Sequence, residues 1–243
     1  MDNTTLVTLS RQGAMARSMD VIANNLANLN TTAYKTETVL FEQYVQEVVG
    51  DDGVTQEVTL VNDYGNLRDT QEGSFYETGN DLNIAIQGNG YLVTETADRE
   101  LQYTRNGVLR LDADGQLVAA SGDPILDANN QPITLSTTDY NFKIGKDGTI
   151  STSNGPRGKL QLVSFENEQN LRKVGNGSFT ATEASTPAEG VTLVQGMLER
   201  SNVSSILEMT KMIDVSRSYQ SAAKAMQTNG DLVRKAIREL GTI

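Results

Sequence analysis

Cysteine and histidine are both absent from this chain of 243 residues. Without cysteine there can be neither disulfides nor thiolate metal sites. Without histidine the commonest metal ligand, the usual general base and every Ser-His or Cys-His arrangement drop out. Tryptophan is missing as well, which removes the usual platform for stacking a sugar. No apolar run approaches the ~18 residues that a membrane-spanning helix needs. The start, Met1-Asp2-Asn3, is acidic and polar and lacks the charged-then-apolar layout of a cleaved secretion signal, so any export is expected to use another route.

Positive charge is also scarce, with 20 Lys and Arg against 31 Asp and Glu and a net charge of −11. Residues 1–40 are neutral and 199–243 carry +2, which leaves −13 on residues 41–198. An acidic middle with no basic stripe argues against nucleic acid and against anionic lipid, whose phosphates it would repel. Solubility of an exposed domain accounts for the acidity.

What the chain does have is two long periodic ends. From Asn202 to Leu240 an alternating three-four spacing picks out Met209, Met212, Ser216, Tyr219, Ala223, Met226, Gly230, Val233, Ile237 and Leu240, most of them apolar. That is the spacing of a helix burying one narrow stripe against another helix. Ser205 followed by Glu208 fits a capping box at its start. At the other end Met15, Met19, Ile22, Leu26 and Leu29 repeat the spacing, with Leu6 and Leu9 extending it. Asn24, Asn25, Asn28 and Asn30 then favour a stop. The two ends are expected to pair as a coiled coil with the remainder looped out to one side, or to pack as ordinary amphipathic helices on a globular core. Met15, Met19, Met209, Met212 and Met226 lie on these seams, and flexible methionines suit contacts with several different neighbours.

The middle reads differently. Phe41 to Val49 is a short apolar piece, Asp51-Asp52-Gly53 a break, and 54–82 an irregular, partly extended connector. Leu82 to Ile86 alternates, stops at Gly88-Asn89-Gly90, and Tyr91-Leu92-Val93 resumes, which predicts a hairpin. Turn pairs then recur about every ten residues, at Asn106-Gly107, Asp114-Gly115, Asn129-Asn130, Asp147-Gly148 and Asn154-Gly155. Short strands with regular turns predict an antiparallel sandwich or barrel-like domain. The expected fold class is α+β: long N- and C-terminal helices paired as a coiled coil, an inserted antiparallel β domain, and extended connectors. The expected divisions are an N-terminal helix over 1–33, a connector over 34–80, a β-rich outer domain over 81–185, and a return connector with the C-terminal helix over 186–243.

Chemistry is thin. Gly88-Asn89-Gly90 lacks the third glycine of a phosphate loop and precedes a strand. Asp112-Ala113-Asp114-Gly115 has its glycine too early for a calcium loop and no bidentate Glu at the right distance, so a turn is expected. Scattered carboxylates make chance pairs inevitable. No catalytic, cofactor-binding or metal-ligating residue is expected.

Ala23-Asn24-Asn25-Leu26-Ala27-Asn28-Leu29-Asn30-Thr31-Thr32-Ala33-Tyr34-Lys35 resembles the A-N-N-[LI]-A-N-x-x-T-x-G-[FY]-K signature of bacterial flagellar axial proteins of the rod and hook. Ala33 stands where that signature has glycine, which argues against a positive-φ backbone there. Leu198-Glu199, Ser201-Asn202-Val203, Glu208-Met209-Thr210 and Met212-Ile213 resemble the family's C-terminal signature. Ile84 to Leu92 and Tyr103-Thr104-Arg105-Asn106-Gly107 resemble its β domain, so the likeness covers nearly the whole chain. The Val215 to Gln220 run and the chain length look more like the proximal-rod branch than the distal one. The resemblance implies a structural, non-enzymatic subunit of a torque-transmitting rod, exported by the flagellum's own type III apparatus into the periplasm. It implies helical assembly with copies of itself and other rod proteins, the terminal helices gaining their burial from neighbours. Phe41 and Val45 fit a loose export-gate motif of the family, with packing of a connector as the alternative. A distal-rod or hook-related subunit, and a secreted β-rich binding module on a helical stalk, remain open.

Overall fold

The computed structural model describes residues 3–49, 55–136 and 141–240. The chain divides into two compact units, one formed by Met1–Ala27, Thr36–Asp69 and Val203–Ile243, the other by Asn28–Lys35 and Thr70–Asn202.

The first unit holds two helices, α1 (Asn3–Ala27) and α2 (Ser205–Leu240), and two long strands, β1 (Glu37–Val49) and β2 (Thr55–Arg68). α1 packs against α2 and against both strands. The expected terminal helices are thus present, but α1 stops six residues short of the expected end at residue 33. Asn28 turns the chain there, its carbonyl accepting from the Thr31 N–H at 3.1 Å and its side chain from the Thr31 hydroxyl at 3.0 Å. Leu29 therefore lies in a turn and is not on a helical seam.

The segment read as an irregular connector contains a regular antiparallel ribbon. β1 pairs with β2 from Glu37 opposite Arg68 to Val49 opposite Thr55, with a bulge between Leu40 and Phe41. Apolar residues fall on both phases of β1 (Val39, Leu40, Phe41, Tyr44, Val45), so the alternation that marks a half-buried strand is missing from its sequence. The expected break at Asp51-Asp52-Gly53 lies outside the described residues.

The second unit is almost entirely β. Its strands begin with β3 (Phe75–Glu77), β4 (Ile84–Gln87), β5 (Tyr91–Glu95), β6 (Leu101–Thr104), β7 (Arg110–Leu111) and β8 (Leu117–Val118). β9 (Lys143–Ile144), β10 (Thr149–Thr152), β11 (Gly155–Lys159), β12 (Leu162–Ser164) and β13 (Arg172–Gly175) follow. β14 (Ser178–Thr180), β15 (Thr186–Pro187), β16 (Thr192–Gln195) and β17 (Met197–Glu199) complete it. One antiparallel sheet runs β13-β14-β6-β5-β12-β15, with smaller pairings of β4 with β16, β3 with β17, β7 with β8, and β10 with β9 and β11.

Tyr91, Leu92 and Val93 of β5 are all buried, because alternate side chains enter opposite cores. Leu92 joins an aliphatic cluster with Ile84, Ile86, Leu117, Ile125, Ile150 and Leu193. Tyr91 and Val93 join an aromatic one with Tyr103, Phe165 and Phe179. The rings there meet edge to face, Tyr103 and Phe165 with centroids 4.8 Å apart, the arrangement that ring quadrupoles favour.

The expected hairpin at Gly88-Asn89-Gly90 is not formed. β4 pairs with β16, β5 pairs with β6 and β12, and the three residues turn a corner between two sheets. Arg105 explains the choice, as its guanidinium takes the carbonyls of Ile86, Gly88 and Gly90 at 3.1, 2.9 and 3.0 Å. The corner leaves the Gly88 carbonyl with the Gly90 N–H at 3.0 Å, and Arg105 supplies the side-chain donors that tie all three carbonyls together.

Candidate assembly surface

Each unit is fastened by a buried polar cluster, and the signature residues Asn25, Lys35 and Glu208 belong to these clusters. In the first unit Asn25, 1% exposed, joins three elements. Its amide donates to the Glu37 carbonyl at 2.7 Å and to Glu208 Oε2 at 3.0 Å, and its Oδ1 accepts from the Glu37 N–H at 3.0 Å. Glu208 is buried too and takes Lys211 Nζ on its other oxygen at 2.7 Å.

Glu208 therefore does not close a capping box with Ser205. Its own N–H bonds the Ser204 carbonyl at 3.0 Å, which makes Ser204 the cap, and its carboxylate serves Asn25 and Lys211. Drawing Glu208 inward puts it on the covered stripe in place of Met209, while Met212, Ser216, Tyr219, Ala223 and Met226 of the expected seam stay covered. Val215 and Ala222 widen that stripe on one side, while Met209 is 51% exposed. On α1 the covered face carries Met15, Met19, Ile22 and Leu26, while Leu9 is exposed. Asn25→Ala would leave the Glu37 amide and the buried Glu208 carboxylate without their partner, at about 2 kcal/mol. The terminal helices should then digest faster with protease while the β unit keeps its resistance.

In the second unit four charges from distant parts of the chain meet. Lys35 Nζ lies 2.7 Å from Glu199 Oε1 and 2.6 Å from the Gln71 carbonyl. Arg105 Nε lies 3.2 Å from Glu199 Oε2, and its far nitrogen 3.6 Å from Glu72. The Gly73 N–H also donates to Glu199, at 3.0 Å. Lys35, Arg105 and Glu199 are buried, Glu72 lies at the edge, and the set is neutral overall. Burial pushes the Lys35 ammonium below its ordinary value, and Glu199 opposes this only in part. Partners and hydrogen bonds on every charge are what make such burial tolerable.

Around this cluster the backbone of 33–34 and 199–202 is tied as well. The Ala33 N–H bonds the Glu199 carbonyl at 2.9 Å and the Asn202 N–H bonds the Tyr34 carbonyl at 3.2 Å. Ala33 keeps a left-handed backbone, φ 55°, contrary to the expectation from its missing glycine. The bond to Glu199 helps hold a conformation that costs a Cβ-bearing residue about 1 kcal/mol or more.

The other signature residues scatter by comparison. Ala23, Asn24 and Ala27 are exposed on α1, Asn28, Thr31, Ser201 and Asn202 are half-buried, and Val203 is buried. Phe41 and Val45, 39% and 52% exposed, sit on β1, and Phe41 helps line a groove of about 310 Å³ with Met15, Ser18, Val215 and Ser218. The roles of Arg105, Glu199, Glu72 and Glu37 were not legible from sequence, since their partners lie far along the chain.

Apolar exposure divides the units. Of eighteen exposed large apolar side chains among the described residues, only Leu101, Leu111 and Val174 belong to the second unit. The first unit holds the rest, including Tyr44, Tyr64, Ile206, Met209, Ile213, Val233, Ile237 and Leu240, yet among its described apolar side chains only Val21, Ile22 and Val203 are buried. A surface of that kind marks a protein interaction site.

Sequence comparison meets this division at three places. Residues 6–35 match the family model described as flagella basal body rod protein, 85–152 the flagellar hook protein FlgE/F/G D1 domain, and 194–239 the flagellar basal body rod FlgEFG protein C-terminal. The flagellar basal-body rod protein FlgF of Caulobacter vibrioides is 34% identical over 245 residues, covering all of both chains. The chain belongs to the flagellar basal-body rod protein family. FlgF of Mesorhizobium japonicum is 31% identical across the full chain and 99% of its own length. FlgG of Bacillus subtilis is 31% identical, covering 90% of this chain and 92% of its own. The chain is thus a structural rod subunit, not an enzyme. Among the described residues no helix is long and apolar enough to cross a membrane.

Proposed function

We propose that the chain is the FlgF-type subunit of the proximal rod, assembling helically with copies of itself and with other rod proteins through terminal helices paired as a coiled coil. The flagellar type III apparatus delivers it, and it assembles in the periplasm. The observation that carries this reading is the first unit's imbalance between exposed and buried apolar side chains. Such a unit gains its missing burial only when neighbours cover it. The three-four stripe on α2, facing α1, supports coiled-coil pairing. Copies related head to tail, without closure, build a shaft and not a ring.

Labelling the chain in isolated basal bodies tests the position. The label is expected on the rod segment nearest the motor, and deletion of the chain should remove every part of the shaft beyond it. Label on the hook, or complete rods in the deletion strain, would refute the proximal assignment.

A further inference from the structure

Antiparallel pairing of the terminal helices leaves α2 longer than its partner. Asn25 meets Glu208, and the 22 residues from Asn25 back to Asn3, counted forward from Glu208, end at Gly230. Residues 231–240 therefore run on beyond α1, and every one of them is exposed. Val233, Ile237 and Leu240, 51%, 65% and 74% exposed, continue the stripe that faces α1 through Met226. An unsupported helical end of that length is marginal in water, and Gly230 weakens it further. Arg234 and Arg238 flank the row on one side and Glu239 lies on the other. Arg234 also meets Asp231 at 3.5 Å, an exposed pair that contributes little.

The complementary surface is the groove of about 310 Å³ between α1, α2 and β1. Met15, Phe41 and Val215 give it apolar walls, with Asp214 on its α2 side and Arg11 on its α1 side. Phe41, Asp214 and Ser218 are exposed, so the groove is open in the single chain. By the same count Arg11 comes level with about Ala222, which puts the two charges about 12 Å apart along the helices. The row from Val233 to Leu240 spans about 10 Å and fits between them.

We propose that the end of α2 seats in this groove on a second copy of the chain, parallel to that copy's own α2. Val233, Ile237 and Leu240 then cover Met15, Phe41 and Val215. Charge selects the direction. A parallel helix brings Arg234 and Arg238 to the Asp214 side and Glu239 to the Arg11 side, whereas an antiparallel one sets Arg234 against Arg11. The contact joins unlike surfaces and leaves a free row and a free groove at the two ends of every stack, so copies add without closing. Only stacked copies present one chain's groove to another's helix, so the contact rests on the rod assignment.

Cysteine is absent from the chain, so introduced thiols report without background. Two differently tagged chains, one Ser218→Cys in the groove and one Ile237→Cys in the row, are produced together and oxidised in isolated basal bodies. A disulfide joining the tags is expected at about ten times the yield of Leu111→Cys with Ile237→Cys, because seated neighbours meet at high effective concentration. Val215→Cys with Val233→Cys is a second pair in the same register and should behave alike. One chain bearing both Ser218→Cys and Ile237→Cys should give ladders of linked copies, since the two sites lie about 28 Å apart on one helix and cannot bond to each other. Asp214→Arg in the groove chain should cut the yield per incorporated chain about tenfold, the factor of ~1.4 kcal/mol. Arg234→Glu and Arg238→Glu in the row chain should then restore it. A yield equal to the control, ladders that stop at pairs, a charge reversal without effect, or no restoration overturns the contact. Rods that contain the tagged chains yet give no such bond leave rod membership standing. Basal bodies that lack the tagged wild-type chain overturn both readings.

Discussion

Glu199→Ala is expected to destabilise the second unit by about 3–5 kcal/mol, the cost of stranding buried cations. The loss is this large because Glu199 serves two of them. Lys35 sits on one carboxylate oxygen at 2.7 Å and Arg105 on the other at 3.2 Å. After substitution Lys35 keeps the Gln71 carbonyl, and Arg105 keeps three carbonyls and the more exposed Glu72. Neutral acceptors satisfy hydrogen bonds but do not cancel charge. Domains of this size are stable by only about 5–15 kcal/mol in total, so the urea midpoint, followed by circular dichroism of the β unit, should fall steeply. Glu199→Gln, which keeps an acceptor without the charge, should lie between the alanine variant and the wild type. Lys35→Met combined with Glu199→Met should be milder than Glu199→Ala, since the pair leaves together and is replaced by apolar volume. An unchanged midpoint in Glu199→Ala would show that the cluster does not hold the unit.

The same cluster shows where the sequence could and could not be read. Local devices were legible. Asp112 Oδ1 accepts from the Asp114 and Gln116 amides at 3.0 and 2.7 Å, and Gly115 takes φ 78°, the turn its sequence predicts. The three-four spacing of both ends likewise marked two helices that the structure contains. What failed was whatever a distant residue decides. Gly88-Asn89-Gly90 has the composition of a hairpin turn, but Arg105 binds the corner carbonyls and the strands go to different sheets. Ala33 lacks the glycine of the signature, but its amide is held by the Glu199 carbonyl, 166 positions on. On α2 the apolar pattern placed Met209 on the covered stripe, whereas Asn25 draws Glu208 there and leaves Met209 outside. In the ribbon, apolar residues on both phases of β1 hid the strand period, and the long pairing to β2 supplies the order that local pattern lacks. Apart from the early end of α1, which Asn28 and Thr31 decide locally, these misses are cases of a long-range polar or backbone bond overruling a local preference.

Ile237→Asp should leave the isolated chain unchanged and yet exclude it from the rod. The side chain is 65% exposed in the monomer, so a carboxylate there stays hydrated, and surface changes of this kind move stability by no more than about 0.5 kcal/mol. Within an assembled shaft the same position would be covered by a neighbour. A charge taken out of water without a partner then costs several kcal/mol in every copy. The urea midpoint of the purified variant should therefore match wild type, while isolated basal bodies should lack it and the cells should not swim. Met226→Asp separates the two effects from the other side. Met226 is half-buried on the stripe facing α1, so its substitution should loosen the helices of the monomer as well as block incorporation. Leu111→Asp, on an exposed site of the β unit, should do neither. If Ile237→Asp chains entered rods and supported normal swimming, the end of α2 would not be an assembly surface. The exposed apolar row would then need another occupant.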